Sequence, residues 1–260
     1  LIILFLCLIV FICLNTMIWV TVSQNHYGKK IHRGDSYNIY DKQYTVPDLE
    51  LIGEGRILHQ KYLYDQWNVL KDITIALKAL NIEYWVSGGT LLGFERHKTF
   101  IPWDDDIDVH TKWSNREYMF SNKFNTDLRE YNLEAIFLPL ASIKRTTVVS
   151  AAVRLRRINT ITPVCDVFFV HEKQPGVFGK VNSWAGNHIV YNNNELWGKD
   201  LLFPIITRSV DGLELCFPND PIKVLQKQYG QEVMNKMHAR NVLFSHWYPF
   251  KLFQFIWKSH

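Results

Sequence analysis

The chain has 260 residues, 47% of them hydrophobic and 21% charged, with a formal net charge of +4. That apolar share supports a packed core and argues against wholesale disorder. So small a positive excess gives no ground for a nucleic-acid partner, and none is expected. Cys7, Cys13, Cys165 and Cys216 show neither zinc-ligand spacing nor a disulfide framework. Cys165 and Cys216 are read as two small buried residues rather than a bridge.

From Leu1 to Val22 only Asn15, Thr16 and Thr21 are polar and nothing is charged. A helix of that length rises roughly 33 Å, enough for a hydrocarbon core of about 30 Å, so residues 1–22 are expected to be a transmembrane anchor. Lys29, Lys30 and Arg33 follow closely and favour a cytoplasmic C-terminal side. Residues 23–53 carry Gly28, Gly34, Pro47 and Gly53 without sustained periodicity, the pattern of a stem or linker. Residues 54–260 are left for a single catalytic domain.

Within that domain, Leu63, Trp67, Leu70, Thr74 and Leu77 recur at steps of four and three, which predicts a helix over 54–80. Asn81, tolerant of left-handed backbone, ends it. Ile82 to Val86 reads as a strand, Ser87-Gly88-Gly89-Thr90 as its break, and Leu91 to Arg96 as a helical turn. Ile107-Asp108-Val109 forms the heart of a second strand, and residues 148–158 and 164–170 are β-rich. Asp220 to His238 reads as a last helix with Asp220 as cap and Pro221 at its first position. Strands and helices mix without regular βαβ alternation, so the expected class is α+β.

Asp106-Ile107-Asp108-Val109 alternates acid with apolar residue. In a strand this sends both carboxylates to one face and both aliphatic side chains to the core. Asp104, two residues earlier, extends the row. Such a row suits a hard divalent cation, Mg²⁺ or Mn²⁺, and phosphoryl transfer needs positive charge opposite its phosphate oxygens. Gly88 and Gly89 remove two Cβ atoms after a strand and free N–H groups for phosphate, and Thr90 adds a hydroxyl. Arg96, His97 and Lys98 are cationic candidates for the same phosphate. Asp166 is a lone acid in the apolar run 164–170, costly unless it meets a cation or another partner. It is taken as the third carboxylate, with a structural pair to Arg154, Arg156 or Arg157 as the alternative. His110, His171 and His188 show no ligand spacing, and the aromatic run from Trp247 to Trp257 reads as a core or interfacial helix.

The stretch from Ser87 to Asp108, SGGTLLGFERHKTFIPWDDDID, closely resembles the signature of the LicD family, which includes bacterial phosphocholine transferases and has fukutin and fukutin-related protein as relatives. The resemblance extends to Asp166-Val167-Phe168, to Val210 through Pro218, and to Leu225 and Tyr229-Gly230. It implies a nucleotidyltransferase-like mixed sheet with flanking helices. It also implies Mg²⁺-dependent transfer of a phospho-alcohol, of phosphocholine or ribitol phosphate type, from a CDP-linked donor to a glycan hydroxyl with release of CMP. Carried across, Asp104, Asp106, Asp108 and Asp166 are metal ligands, and Asp106, Asp108 and Asp166 are catalytic, with Asp166 assisting removal of the acceptor proton. Gly88, Gly89, Thr90, Arg96 and Lys98 hold the donor phosphates. Phe94 departs from the Ala usual in bacterial members. With the N-terminal anchor, this resemblance suggests a single-pass membrane protein, with a Golgi or ER lumenal catalytic domain if the chain is eukaryotic. Two other functions fit the same motif: a catalytically silent glycan-binding accessory protein, and a nucleotidyltransferase acting on a small molecule.

Overall fold

The computed structural model describes residues 27–39, 41–137, 149–150, 152–185 and 188–239. Its spine is an eight-stranded mixed sheet. The strand β11 (Val164–Gln174) runs through the middle of it. Along its first half β11 pairs in parallel with β7 (Asp106–Lys112) and antiparallel with β10 (Ala152–Arg157), which in turn pairs with β8 (Leu133–Phe137). Its second half turns back into β12 (Val177–Ala185), and β12 pairs with β13 (His188–Gly198). The short β6 (Tyr84–Val86) lies antiparallel on the far side of β7. Val167 and Phe169 of β11 and Ile107 and Val109 of β7 are fully buried, as the apolar positions of a covered sheet must be.

Helix α1 (Gln60–Ala79) lies on this sheet. Its buried stripe holds Leu63, Trp67, Leu70, Ile73 and Leu77, while Lys61, Lys71 and Lys78 face solvent. Asn81 follows at φ +55°, the left-handed conformation that stops the helix. Helix α2 (Gly88–Arg96) begins within the Gly-Gly pair instead of after it. Trp67 joins the two helices: its ring stands edge-on to Phe94 at 6.3 Å and to Phe100 at 6.0 Å. Helix α6 (Pro221–Tyr229) is capped by the Asp220 carboxylate, which accepts from the Lys223 N–H at 3.1 Å.

Several expectations are corrected. The stretch read as a stem forms β1 (Tyr27–Lys30), the hairpin of β2 (Ser36–Ile39) and β3 (Lys42–Thr45), and β4 (Glu50–Ile52). Ile31, Tyr37, Ile39, Tyr44 and Val46 are buried in the main core. Strands this short, set among charged residues, leave too little repeat for periodicity to show. The last helix ends at Tyr229 because Gly230 turns away at φ +96°, and Lys236–His238 forms a strand parallel to β4. The β12–β13 hairpin was not foreseen at all. Cys165 is buried and Cys216 half-buried, and both are free thiols.

The α+β fold led by a transmembrane helix is also corrected. The described fold is a mixed α/β arrangement, and among the described residues no helix is long and apolar enough to cross a membrane. The longest described helix, α1, carries lysines along its outer face and spends its apolar stripe on the sheet. Residues 1–22 lie outside the described residues, as do Cys7, Cys13 and the run from Trp247 to Trp257. The single-pass membrane placement, and with it the Golgi or ER assignment, is therefore withdrawn.

Trp67→Ala is expected to destabilise the fold by about 3–5 kcal/mol, because it empties the junction between α1 and α2. Urea unfolding checks this; a loss under about 1 kcal/mol would mean the junction is not a packed unit.

Candidate active site

The acid row occupies the start of β7. Asp106, Asp108 and His110 alternate with buried Ile107 and Val109 and line a cavity of about 350 Å³. Parallel pairing sets Asp108 opposite Asp166 of β11, which lines the same cavity. The backbone before β7 is held by α1: the buried Gln66 amide donates to the carbonyls of Asp104 at 3.1 Å and Asp106 at 2.8 Å. The Tyr62 hydroxyl donates to the Asp105 carbonyl at 2.6 Å. Gln66 was not anticipated, although a polar residue beside the apolar stripe of α1 is a visible oddity.

The Gly-Gly bend lies directly against these carboxylates. A Cβ at Gly88 would stand 2.2 Å from Asp108 Oδ2, and one at Gly89 would stand 2.1 Å from Asp104 Oδ2. Gly88 also adopts φ +53°, a conformation that any larger side chain would strain. The Gly89 N–H donates to Asp108 Oδ2 at 3.2 Å, the Asp108 N–H donates to Thr90 Oγ1 at 2.8 Å, and the Ser87 N–H donates to the Asp108 carbonyl at 3.1 Å. Gly89 and Thr90 thus fix Asp108, where the sequence suggested contacts to phosphate.

Arg96 and Lys98 are not brought to the cavity. The half-buried Arg96 guanidinium donates to the carbonyls of Val233 at 3.0 Å and Lys236 at 2.7 Å, tying α2 to the C-terminal segment. The Lys98 ammonium donates to the Glu95 carbonyl at 2.8 Å in an exposed turn. His97 is buried beside the Trp103 ring, and burial together with the neighbouring Arg96 charge holds its pKa down to about 3. Arg154 supplies the guanidinium of the site: its Nε and Nη2 each donate to one oxygen of Asp166 at 2.7 Å. Lys180, Glu195, Gln228 and Tyr229 complete the opposite wall.

The electrostatics follow from this crowding. Burial, then the neighbouring acids, push the Asp104 carboxyl well above the usual range. Asp106 is raised to about 7, by burial first and then by Asp105 and Asp166, with Asp104 and Arg154 opposing. Asp108 is raised by burial and by Asp106, with Lys180 opposing. The fold therefore holds more negative charge than its own cations offset. Asp104, Asp105 and Asp106 each place a carboxylate oxygen within 4.8 Å of the other two, so the donor set and its charge both fit a hard divalent cation. This close trio includes Asp105, whereas the sequence pointed to Asp104, Asp106, Asp108 and Asp166.

A glycine bend pressed on an acidic β-strand within a mixed sheet frames the site, and the family model that matches it is described as a nucleotidyltransferase domain. The chain belongs to the LicD family: the model described as "LicD/FKTN/FKRP, nucleotidyltransferase domain" matches residues 81–220. Among curated proteins it is 26% identical to the uncharacterized protein RP689 of Rickettsia prowazekii, over 74% of this chain and 64% of that protein. It is 39% identical to the lipopolysaccharide cholinephosphotransferase LicD of Haemophilus influenzae, over 26% of this chain and 25% of that one. It is 52% identical to the human ribitol 5-phosphate transferase FKRP, over 13% of this chain and 7% of that one. The chain spans 64% and 57% of the two Rickettsia relatives it matches. A lincosamide adenylyltransferase, LnuA, superposes at a TM-score of 0.36 with 12% identity, over 64% of this chain and 93% of that one, a likeness too slight to carry an argument.

A folded-state pKa near 7 for Asp106, against an ordinary 3.8, has a direct consequence for stability. The protonated carboxyl is favoured by the fold, so its contribution is present at low pH and is lost as pH rises through the folded value. The metal-free protein is expected to melt at lower temperature at about pH 8 than at about pH 5, and Mg²⁺ should flatten that slope. Calorimetry with and without the ion checks this. A slope that Mg²⁺ leaves unchanged would mean the acids do not gather it.

Proposed function

We propose that this cavity moves a phospho-alcohol, of the phosphocholine or ribitol phosphate kind, from a CDP-linked donor to a glycan hydroxyl, releasing CMP. The observation that carries this reading is the convergence of Asp106, Asp108 and Asp166 on one cavity, against a bend with no side chains. The family adds the direction, since relatives are named as a cholinephosphotransferase and a ribitol 5-phosphate transferase. Mg²⁺ or Mn²⁺ would be held by the close trio of Asp104, Asp105 and Asp106, with Asp108 and Asp166 lining the cavity beside it. When bound, the ion supplies the positive charge that a phosphate undergoing substitution requires.

The residues of this chain do the rest. The glycine bend gives the donor phosphate room to approach the acids. Asp108 is fixed through Oδ2 by the Gly89 N–H and through its backbone by Thr90. It is therefore our choice to take the proton of the acceptor hydroxyl as the new O–P bond forms and the bond to CMP breaks. Asp166 has both oxygens engaged by Arg154, a pair that would have to open before it could serve. Arg154 and Asp166 together form a rigid wall beside the reacting phosphorus.

The test is CMP release from a panel of CDP-alcohols with Mg²⁺ and a mixture of glycan acceptors. Asp106→Asn removes charge without volume and is expected to reduce turnover at least about a hundredfold while leaving the fold intact. Turnover retained above about a tenth would overturn the assignment of the acids. Release of pyrophosphate from a nucleoside triphosphate would mark a nucleotidyltransferase instead.

A further inference from the structure

With Arg96 and Lys98 turned away, the phosphate of the proposed donor needs another cation. We propose that Lys180 meets the diphosphate of the donor, held ready by Glu195, Asn192 and Gln228. This rests on the transferase reading for the donor but not for the contact itself.

The β12–β13 ladder is irregular on both sides of Val181, and the larger shift falls at Lys180. Along the β12–β13 ladder Gly179 pairs with Leu196 and Val181 pairs with Tyr191, so Lys180 alone faces the four residues from Asn192 to Glu195. Bulges of this kind re-aim side chains, and they gather beside active sites. Gly179 permits the distortion: a Cβ there would meet Leu196 Cδ2 and Tyr191 Cδ1, each at 2.6 Å. The bulge brings Glu195, only 2% exposed, to face Lys180, with Nζ 3.2 Å from Oε1. The Lys180 ammonium also stands 3.9 Å from the centroid of the Phe168 ring, which lines the cavity.

A lysine–glutamate pair in a cavity wall has a plain structural explanation, but two features go beyond it. First, Glu195 does not depend on Lys180: the Gln228 amide donates to Oε1 at 2.8 Å, and the Asn192 amide donates to Oε2. The ammonium can therefore move to a phosphate and leave the carboxylate with two neutral donors. Second, Ser87 Oγ, which can donate, is buried without a hydrogen-bond partner among the described residues, and Ser87 lines this cavity. A buried hydroxyl left without a partner is open to a ligand oxygen, and Ser87 shares this cavity with Lys180, Asp106 and Asp108. A diphosphate placed there would have the acids and their cation on one side and Lys180 on the other. The Ser87 hydroxyl would donate to one of its oxygens.

The probe is inorganic pyrophosphate with Mg²⁺, titrated into the full chain by calorimetry. Wild type is expected to bind. Lys180→Met keeps the aliphatic stem over Phe168 and should bind at least about tenfold more weakly, with Lys180→Arg recovering part of the loss. Equal binding by Lys180→Met, or no binding by wild type, overturns the proposal. Should Lys180→Met fail to fold, acylation of the wild-type lysines decides: pyrophosphate is expected to protect Lys180, and unprotected modification overturns the contact. Failure of the transferase reading is separable, because it appears as absent CMP release from every CDP-alcohol while pyrophosphate binding still depends on Lys180.

Discussion

The site depends on one close approach: the backbone of Gly88 and Gly89 against the carboxylates of Asp104 and Asp108. A single added carbon would fall about 2 Å from a carboxylate oxygen at either position, so a larger residue would push Asp104 or Asp108 aside, and at Gly88 the φ of +53° adds backbone strain. That approach lets the Gly89 N–H reach Asp108 Oδ2 and orient its carboxylate. Trp67, Phe94 and Phe100 lock the same elements from behind, and Gln66 and Tyr62 hold the backbone that carries Asp104 to Asp106. Packing and hydrogen bonding thus work toward one end, which is to hold acids together that would otherwise repel.

Such an arrangement stores electrostatic tension. Burial and mutual repulsion raise Asp104, Asp106 and Asp108 together, and Arg154 is already committed to Asp166. A site built to relieve this with a divalent ion would gain affinity for the ion from the same free energy that the fold gives up. Lys180 on the opposite wall opposes the upward push on Asp108 across the cavity. The cavity is thus asymmetric, acid-rich on the β7 side and lined on the β12 and β13 side by the Lys180–Glu195 pair.

The acid row was readable because a two-residue period states its own geometry: Ile107 and Val109 go inward and Asp106 and Asp108 go to the cavity whatever the rest of the chain does. Asp166 and its partner Arg154 were readable as a charge in an apolar strand that needed an answer, one of three nearby arginines. The roles of Arg96 and Lys98 were not readable, since nearness in sequence to the glycine bend says nothing about direction at the end of a helix. Arg96 points along α2 to the carbonyls of Val233 and Lys236, residues far away in the chain. Lys180 and Glu195 were invisible for a similar reason: they meet only because a ladder slips between Gly179 and Val181, and no local pattern announces a slip. The short strands between residues 27 and 52 escaped because each is three or four residues long.

The most direct test of the central claim is an anomalous difference map from crystals of the full chain soaked in Mn²⁺. The account predicts a peak among the carboxylates of Asp104, Asp105 and Asp106, beside the Gly88-Gly89 bend. A peak elsewhere with that cluster empty, or acids splayed apart from the bend in the experimental density, would contradict it.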